Sequence, residues 1–312
     1  MKTVDQVTIY EVGLRDGLQL EAVHLSVDEK LEIYRLLRKA NVAEIEFGSF
    51  VHPKLVPQMA NSGQFYSYLK ADKDVKLVGL IPNLKGLEIA KENGVRSVNY
   101  VVSASNTHNL QNVHQTTNES LEKFSHFAAF ASQYGIHLNV TIATSFGCPF
   151  EGRIPPQHIM SIIEKLLSQN IARITLADTT GMANPKQVYQ LTREIVNEWS
   201  NIEFGCHFHN TRGMGLANIV AGLQAGITVY DASLGGIGGC PFAPGATGNV
   251  CTEDVVHMIE EMGIRTSIEL DPLIEASNKL KELLGHELPG QVAKAGKSSR
   301  RYAVPSDAAN PQ

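Results

Sequence analysis

Apolar positions along this chain follow two alternating rhythms. Short runs rich in β-branched and aromatic residues give way to longer stretches with an apolar side chain every three or four positions, and the cycle then repeats. The runs at 7–12, 44–47, 76–81, 97–102, 137–142, 173–177, 203–207 and 229–233 read as strands. Between them, helical periodicity covers 27–40, about 56–69, 85–93, 120–134, 157–168, 185–199, 216–225 and 253–262, with one further helix over 272–284. Ser26 with Glu29 three residues on predicts a capped start for the first helix, and Gly94 and Gly135 are natural stops.

Eight strand–helix repeats of this length predict an α/β fold, a single (β/α)8 TIM barrel with a C-terminal helical extension. A doubly wound open sheet is the rival, but no GxGxxG follows the first strand. The barrel domain is expected over 1–285 and a basic extension over 286–312, partly disordered towards its end. Lys294, Lys297, Arg300 and Arg301 make that extension basic. A solvated tail is the favoured reading, over an arm that meets the phosphates of an anionic ligand.

Composition narrows the function. Hydrophobic residues are 43 % and charged residues 19 % of 312, as in globular proteins, and a net charge of -5 argues against a nucleic-acid partner. The apolar runs are strand-sized, too short for a membrane span. The four cysteines, Cys148, Cys206, Cys240 and Cys251, form no CxxC pair, and the first strand leaves no room for a leader. A reducing, cytoplasmic setting is expected.

In a barrel of this kind the chemistry sits past the carboxyl ends of the strands. Polar residues there are Arg15, Asp16, Glu46, Asn83, Ser103, Ser105, Thr144, Asp178, His207 and His209. His207 and His209, two apart at a strand end, turn their rings to one face. With Asp16 they make a donor set suited to Mg²⁺ or Mn²⁺. Arg15 could stabilise negative charge on a carbonyl oxygen. Glu46 and Asp178 could orient ligands or bond to neighbouring strands, with nothing to choose between the two. The glycine-rich stretch 235–249 carries Cys240 at its centre, where a reactive thiol is favoured over a buried apolar one.

Several segments together resemble one family. Glu11-Val12-Gly13-Leu14-Arg15-Asp16-Gly17-Leu18-Gln19, Val56-Pro57-Gln58-Met59, Gly147-Cys148-Pro149-Phe150-Glu151-Gly152, the His207/His209 segment and the loop through Cys240 to Asn249 look like those of 3-hydroxy-3-methylglutaryl-CoA lyases. The resemblance implies a homodimeric carbon–carbon lyase of leucine degradation. It implies a divalent cation on Asp16, His207, His209 and Asn249, an enolate held by Arg15, and proton transfer through Cys240, with Glu46 and Asp178 supporting the site. Coenzyme A enters as part of the substrate, with Arg15, Asn83 and Ser105 as candidates to hold it. Leu20, Ala22 and Thr141 depart from the family pattern near the expected acyl-CoA site. That leaves a citramalyl- or methylmalyl-type thioester as the alternative substrate, and a Claisen-type synthase or a non-catalytic metal-binding scaffold as lesser ones.

Overall fold

The computed structural model describes residues 4–239 and 248–303. Its strands are β1 (Thr8–Glu11), β2 (Glu44–Ser49), β3 (Lys76–Ile81), β4 (Ser97–Ser103), β5 (His137–Ala143), β6 (Arg173–Asp178), β7 (Phe204–Phe208) and β8 (Val229–Ala232). All pair in parallel and in chain order, and β1 also pairs with β8, closing the barrel. The expected TIM barrel is the fold.

Around it lie α1 (Val27–Lys39), α2 (Ser62–Leu69), α3 (Leu84–Glu92), α4 (Asn106–Val113), α5 (Thr117–Gln133), α6 (Pro156–Leu167), α7 (Pro185–Glu198), α8 (Gly215–Ala225), α9 (Thr252–Glu261), α10 (Leu270–Leu284) and α11 (Val292–Ala295). The capping box forms at α1 as expected, with the Ser26 hydroxyl accepting from Glu29 N and the Glu29 carboxylate from Ser26 N. Two expectations need correction. The stretch 56–69 is not one helix: Pro57–Met59 is a single 3₁₀ turn, and Ser62 donates its hydroxyl to Met59 O where α2 begins. Thr116, not Ser120, marks the start of the helix before β5, with its own capping box to Glu119. The short helix α4 precedes it and has no counterpart in the apolar pattern.

The outward faces of the strands and the inner faces of the helices make the main core, which includes Ile45, Phe47, Leu138, Leu176, Cys206 and Phe208. Inside the barrel the side chains are largely polar. Arg173 reaches across from β6 to grip Glu44 of β2 with two bonds of 2.8 and 2.9 Å, and also bonds Glu203 at 2.5 Å. This pair fills the barrel at the amino-terminal end of its strands.

Residues 286–292 pack on the barrel: Leu288 and Val292 are buried, and Gly290 N donates to Gly235 O. From there it runs away from the carboxyl ends of the strands. Lys297 pairs with Asp271 at the start of α10, and Ser298 bonds Glu261 at the end of α9. The basic residues from Lys297 to Arg301 therefore lie towards the opposite face from the barrel mouth.

A candidate metal and enolate site at the barrel mouth

The chain leaves β1 through a π-helical turn, Gly13–Gly17, in which Val12 O accepts from Arg15 N, Asp16 N and Gly17 N at 3.1, 2.8 and 3.2 Å. That wide turn delivers two consecutive buried side chains, Arg15 and Asp16, to the mouth. From the other end of the chain, β7 brings His207 inward, and His209 follows on the same face with the ring centroids 5.1 Å apart. Residues 248–252 then lie between the ends of β7 and β8. Val250 N donates to Phe208 O and Ser233 N to Val250 O, both at 3.1 Å, which sets Asn249 opposite His209.

The ligand atoms meet. His207 Nε2 and His209 Nε2 are 3.1 Å apart, and each is 4.0 Å from Asp16 Oδ2. For a triangle with those sides, the point equidistant from all three atoms lies about 2.2 Å from each, the bond length of a small divalent cation to N and O donors. Asn249 donates Nδ2 to Asp16 Oδ2 at 2.8 Å and to Ile237 O at 3.2 Å, so its amide group borders the same point. Chemistry and spacing both suit a divalent ion.

The charges around these side chains also suit a cation. Burial works against ionisation of Asp16, but Arg15, then His207, His209 and the Asn249 amide outweigh it and bring the carboxyl down to about 2. Arg15 donates Nη1 to Asp16 Oδ1 at 2.6 Å and Nε to Glu46 Oε2. Glu46 also accepts from Asn99 Nδ2 at 3.1 Å, and Asn99 accepts from Thr141 Oγ1 at 3.1 Å. Burial raises Glu46 above the usual carboxylate range, with Arg15 opposing. His207 Nδ1 lies 3.2 Å from Asp231 Oδ2 on β8; burial lowers the imidazole pKa, but the bond and charge of Asp231 prevail and raise it. A carboxylate behind a metal-ligating histidine fixes ring orientation and strengthens its donor nitrogen.

The remaining expected positions scatter around this centre. Asp178 ends β6 and accepts from Met182 N at 2.7 Å, and burial pushes its carboxyl up to about 6. Asn83 and Ser105 are helix caps, accepting from Gly86 N at 3.0 Å and His108 N at 3.1 Å. Cys240 lies outside the described residues. Asp231, Asn99 and Gln19, whose Nε2 donates to Asp16 Oδ1 at 2.9 Å, join the site without having been singled out from the sequence. Strand register is what reveals Asp231, since His207 and Asp231 are direct partners across β7 and β8.

Comparison with known proteins agrees with this geometry. The HMGL-like family model matches residues 6–280. The chain belongs to the HMGL-like family. Hydroxymethylglutaryl-CoA lyase of Bacillus subtilis (strain 168) is 39 % identical, over 94 % of this chain and 98 % of its own. (R)-citramalyl-CoA lyase of Chloroflexus aurantiacus is 43 % identical, over 94 % of this chain and 96 % of its own. Among solved structures, an HMG-CoA lyase from Acinetobacter baumannii in complex with coenzyme A and 3-methylmalate has a TM-score of 0.92 at 45 % identity, covering 96 % of this chain and 98 % of its own. Family and lyase relatives together make the protein a carbon–carbon lyase. Among the described residues no helix is long and apolar enough to cross a membrane.

Proposed function

We propose that this HMGL-like lyase cleaves 3-hydroxy-3-methylglutaryl-CoA to acetyl-CoA and acetoacetate. The observation that carries the reading is the buried Asp16–His207–His209 triangle with the Arg15 guanidinium bonded to its carboxylate. A divalent cation, Mg²⁺ or Mn²⁺, held by Asp16, His207 and His209 with Asn249 beside them, would polarise the tertiary hydroxyl and ease loss of its proton. A base takes the hydroxyl proton, the bond between C2 and C3 breaks, C3 becomes the ketone carbon of acetoacetate, and the electron pair passes to the thioester as an enolate.

Arg15 is the residue suited to that charge. Glu46 and Asp16 hold it in place by its Nε and Nη1, leaving further donors of its fork for the enolate oxygen. Asp231 keeps the His207 ring turned towards the centre. Protonation of the enolate carbon completes the reaction; Cys240 is the proposed donor, with Asp178 and Glu46 supporting the site. Asn83 and Ser105 are proposed contacts of the coenzyme A portion. A place in leucine degradation, a cytoplasmic location and a homodimer complete the reading.

The citramalyl- or methylmalyl-type thioester is the second reading. It is favoured by the 43 % identity to (R)-citramalyl-CoA lyase and by the 3-methylmalate bound to the relative from A. baumannii. Thr141 has its hydroxyl tied to Asn99 inside the barrel, and Leu20 is 45 % exposed on the loop after β1. A panel of acyl-CoA thioesters assayed with Mg²⁺ or Mn²⁺ decides between the two. Acetoacetate release from 3-hydroxy-3-methylglutaryl-CoA, abolished by chelation, supports the first; fast turnover of a citramalyl-type thioester alone replaces it with the second.

A further inference from the structure

Several buried carboxylates take no part in the chemistry described above. Among the described residues, Glu44 is held by Arg173 and Lys76 at the closed end of the barrel, and Glu253 accepts from Gly235 N. Glu11, the last residue of β1, is different. Its side chain has no exposure and accepts three bonds from three separate segments. Gly13 N donates to Oε1 at 2.7 Å, Leu234 N to Oε1 at 2.9 Å, and Thr252 Oγ1 to Oε2 at 2.5 Å.

Each of those partners is the root of a functional segment. Gly13 opens the turn that carries Arg15 and Asp16. Leu234 opens the glycine-rich stretch after β8. Thr252 ends the segment that carries Asn249, and that segment is bonded to Ser233 on both sides, through Val250 O and Thr252 N. Gly13 has to be glycine for this arrangement, because a Cβ there would lie 2.5 Å from Glu11 Oε1.

We propose that Glu11 is a positioning residue for the cation site. One carboxylate fastens the roots of the Asp16 turn, the β8 loop and the Asn249 segment into one body, so that Asp16 and Asn249 face His207 and His209 before the ion arrives. Glu11 touches no ligand, and it acts only through the backbone it holds. Preorganised ligands bind without having to be ordered first, and groups that orient ligands from behind are commonly worth about 10–100-fold in affinity or activity.

The inference rests on reading Asp16, His207 and His209 as cation ligands, and Mn²⁺ titration monitored by electron paramagnetic resonance tests it without turnover. Glu11→Ala should weaken Mn²⁺ binding about 10–100-fold, and should lower kcat at saturating Mn²⁺ with KM for the thioester unchanged. Glu11→Gln keeps an oxygen for Gly13 and Leu234 and should restore most of both. Thr252→Val removes one bond in a residue of the same shape and should weaken Mn²⁺ binding about 2–10-fold; it decides the matter if Glu11→Ala does not fold. Wild-type affinity and kcat in Glu11→Ala, or in Thr252→Val where the former is unfolded, overturn the proposal even if the melting temperature drops. Failure of the wild-type protein to bind Mn²⁺ overturns the cation reading itself, and the positioning role with it.

Discussion

Arg15 shows how much a single side chain is asked to do. Its guanidinium neutralises Asp16, stays fixed against Glu46 and keeps donors for the proposed enolate oxygen, which only a planar fork can combine. Arg15→Lys keeps the charge and loses the fork, so kcat should drop about 10²–10³-fold, the scale of an oxyanion donor; a lysine variant of near wild-type kcat would remove the assigned role. Asp231→Asn should weaken Mn²⁺ binding about 10–100-fold, because the amide no longer draws on the His207 Nδ1 proton. The same contact fixes a pH dependence. Asp231 raises the His207 pKa, and a cation on Nε2 must displace the proton which that nitrogen carries in the imidazolium, so Mn²⁺ affinity should fall as the solution is acidified through the His207 pKa. Flat affinity across that range would argue against His207 as a ligand. The His-x-His spacing and the strand-end position made His207, His209, Asp16 and Arg15 legible in the sequence. Asn83 and Ser105 obey the same rule as helix caps, because the loop after a barrel strand leads straight to a helix N-terminus. Asp231 was hidden for the opposite reason: it lies within a strand, and only the register with β7 brings it to His207.

Elements were legible where their apolar stripe was strong. The boundaries of α6, α7 and α10 follow the periodicity to within a residue or two, whereas α4, with Asn, Thr, His and Gln through most of its length, has no stripe to detect. The break between 56 and 62 turns on Pro57 and on a polar clasp that joins distant residues. Lys30 of α1, 1 % exposed, donates Nζ to Gln58 O at 2.7 Å and to Asn61 Oδ1 at 2.6 Å. Gln58 and Asn61 in turn donate to Glu21 O and Leu25 O at 2.8 and 3.1 Å, tying the loops after β1 and β2 together. Burial lowers the Lys30 pKa from 10.5 to about 8. Between those values the unfolded chain keeps the proton and the folded chain has lost it, so stability rises with pH across the window. Below about 8 the folded chain carries the whole cost, about 3 kcal/mol. Urea unfolding should therefore show a positive slope over that range that is missing in Lys30→Met; equal slopes in the two proteins would show that Lys30 is not its source.

At the scale of the whole molecule, the two ends of the barrel have separate duties. The mouth holds the candidate cation ligands, and the opposite end is closed by Arg173 on Glu44. Arg173→Met leaves a carboxylate 4 % exposed with one lysine for company, and should cost about 3–5 kcal/mol of stability while KM for the thioester stays put. A shift in KM as large as the loss in stability would mean that the two ends are coupled. The tail leads to a similar expectation. With Lys297 paired to Asp271 and Ser298 bonded to Glu261 towards the far face, replacing Lys297, Arg300 and Arg301 together by alanine should leave thioester KM unchanged. A severalfold rise would return those residues to the phosphate-binding role that the sequence left open.

Closure of the barrel by β1 against β8 also has a bearing on how the protein is made. Asp16 and Asn249 touch at 2.8 Å yet are 233 positions apart in the chain. During synthesis the first of these residues leaves the ribosome long before the second exists, and the two histidines also come late. A cation bound between them would have no complete nest to enter until most of the polypeptide has emerged. Metal supply should govern how well the finished enzyme works and lasts, and have little say in how its early strands assemble.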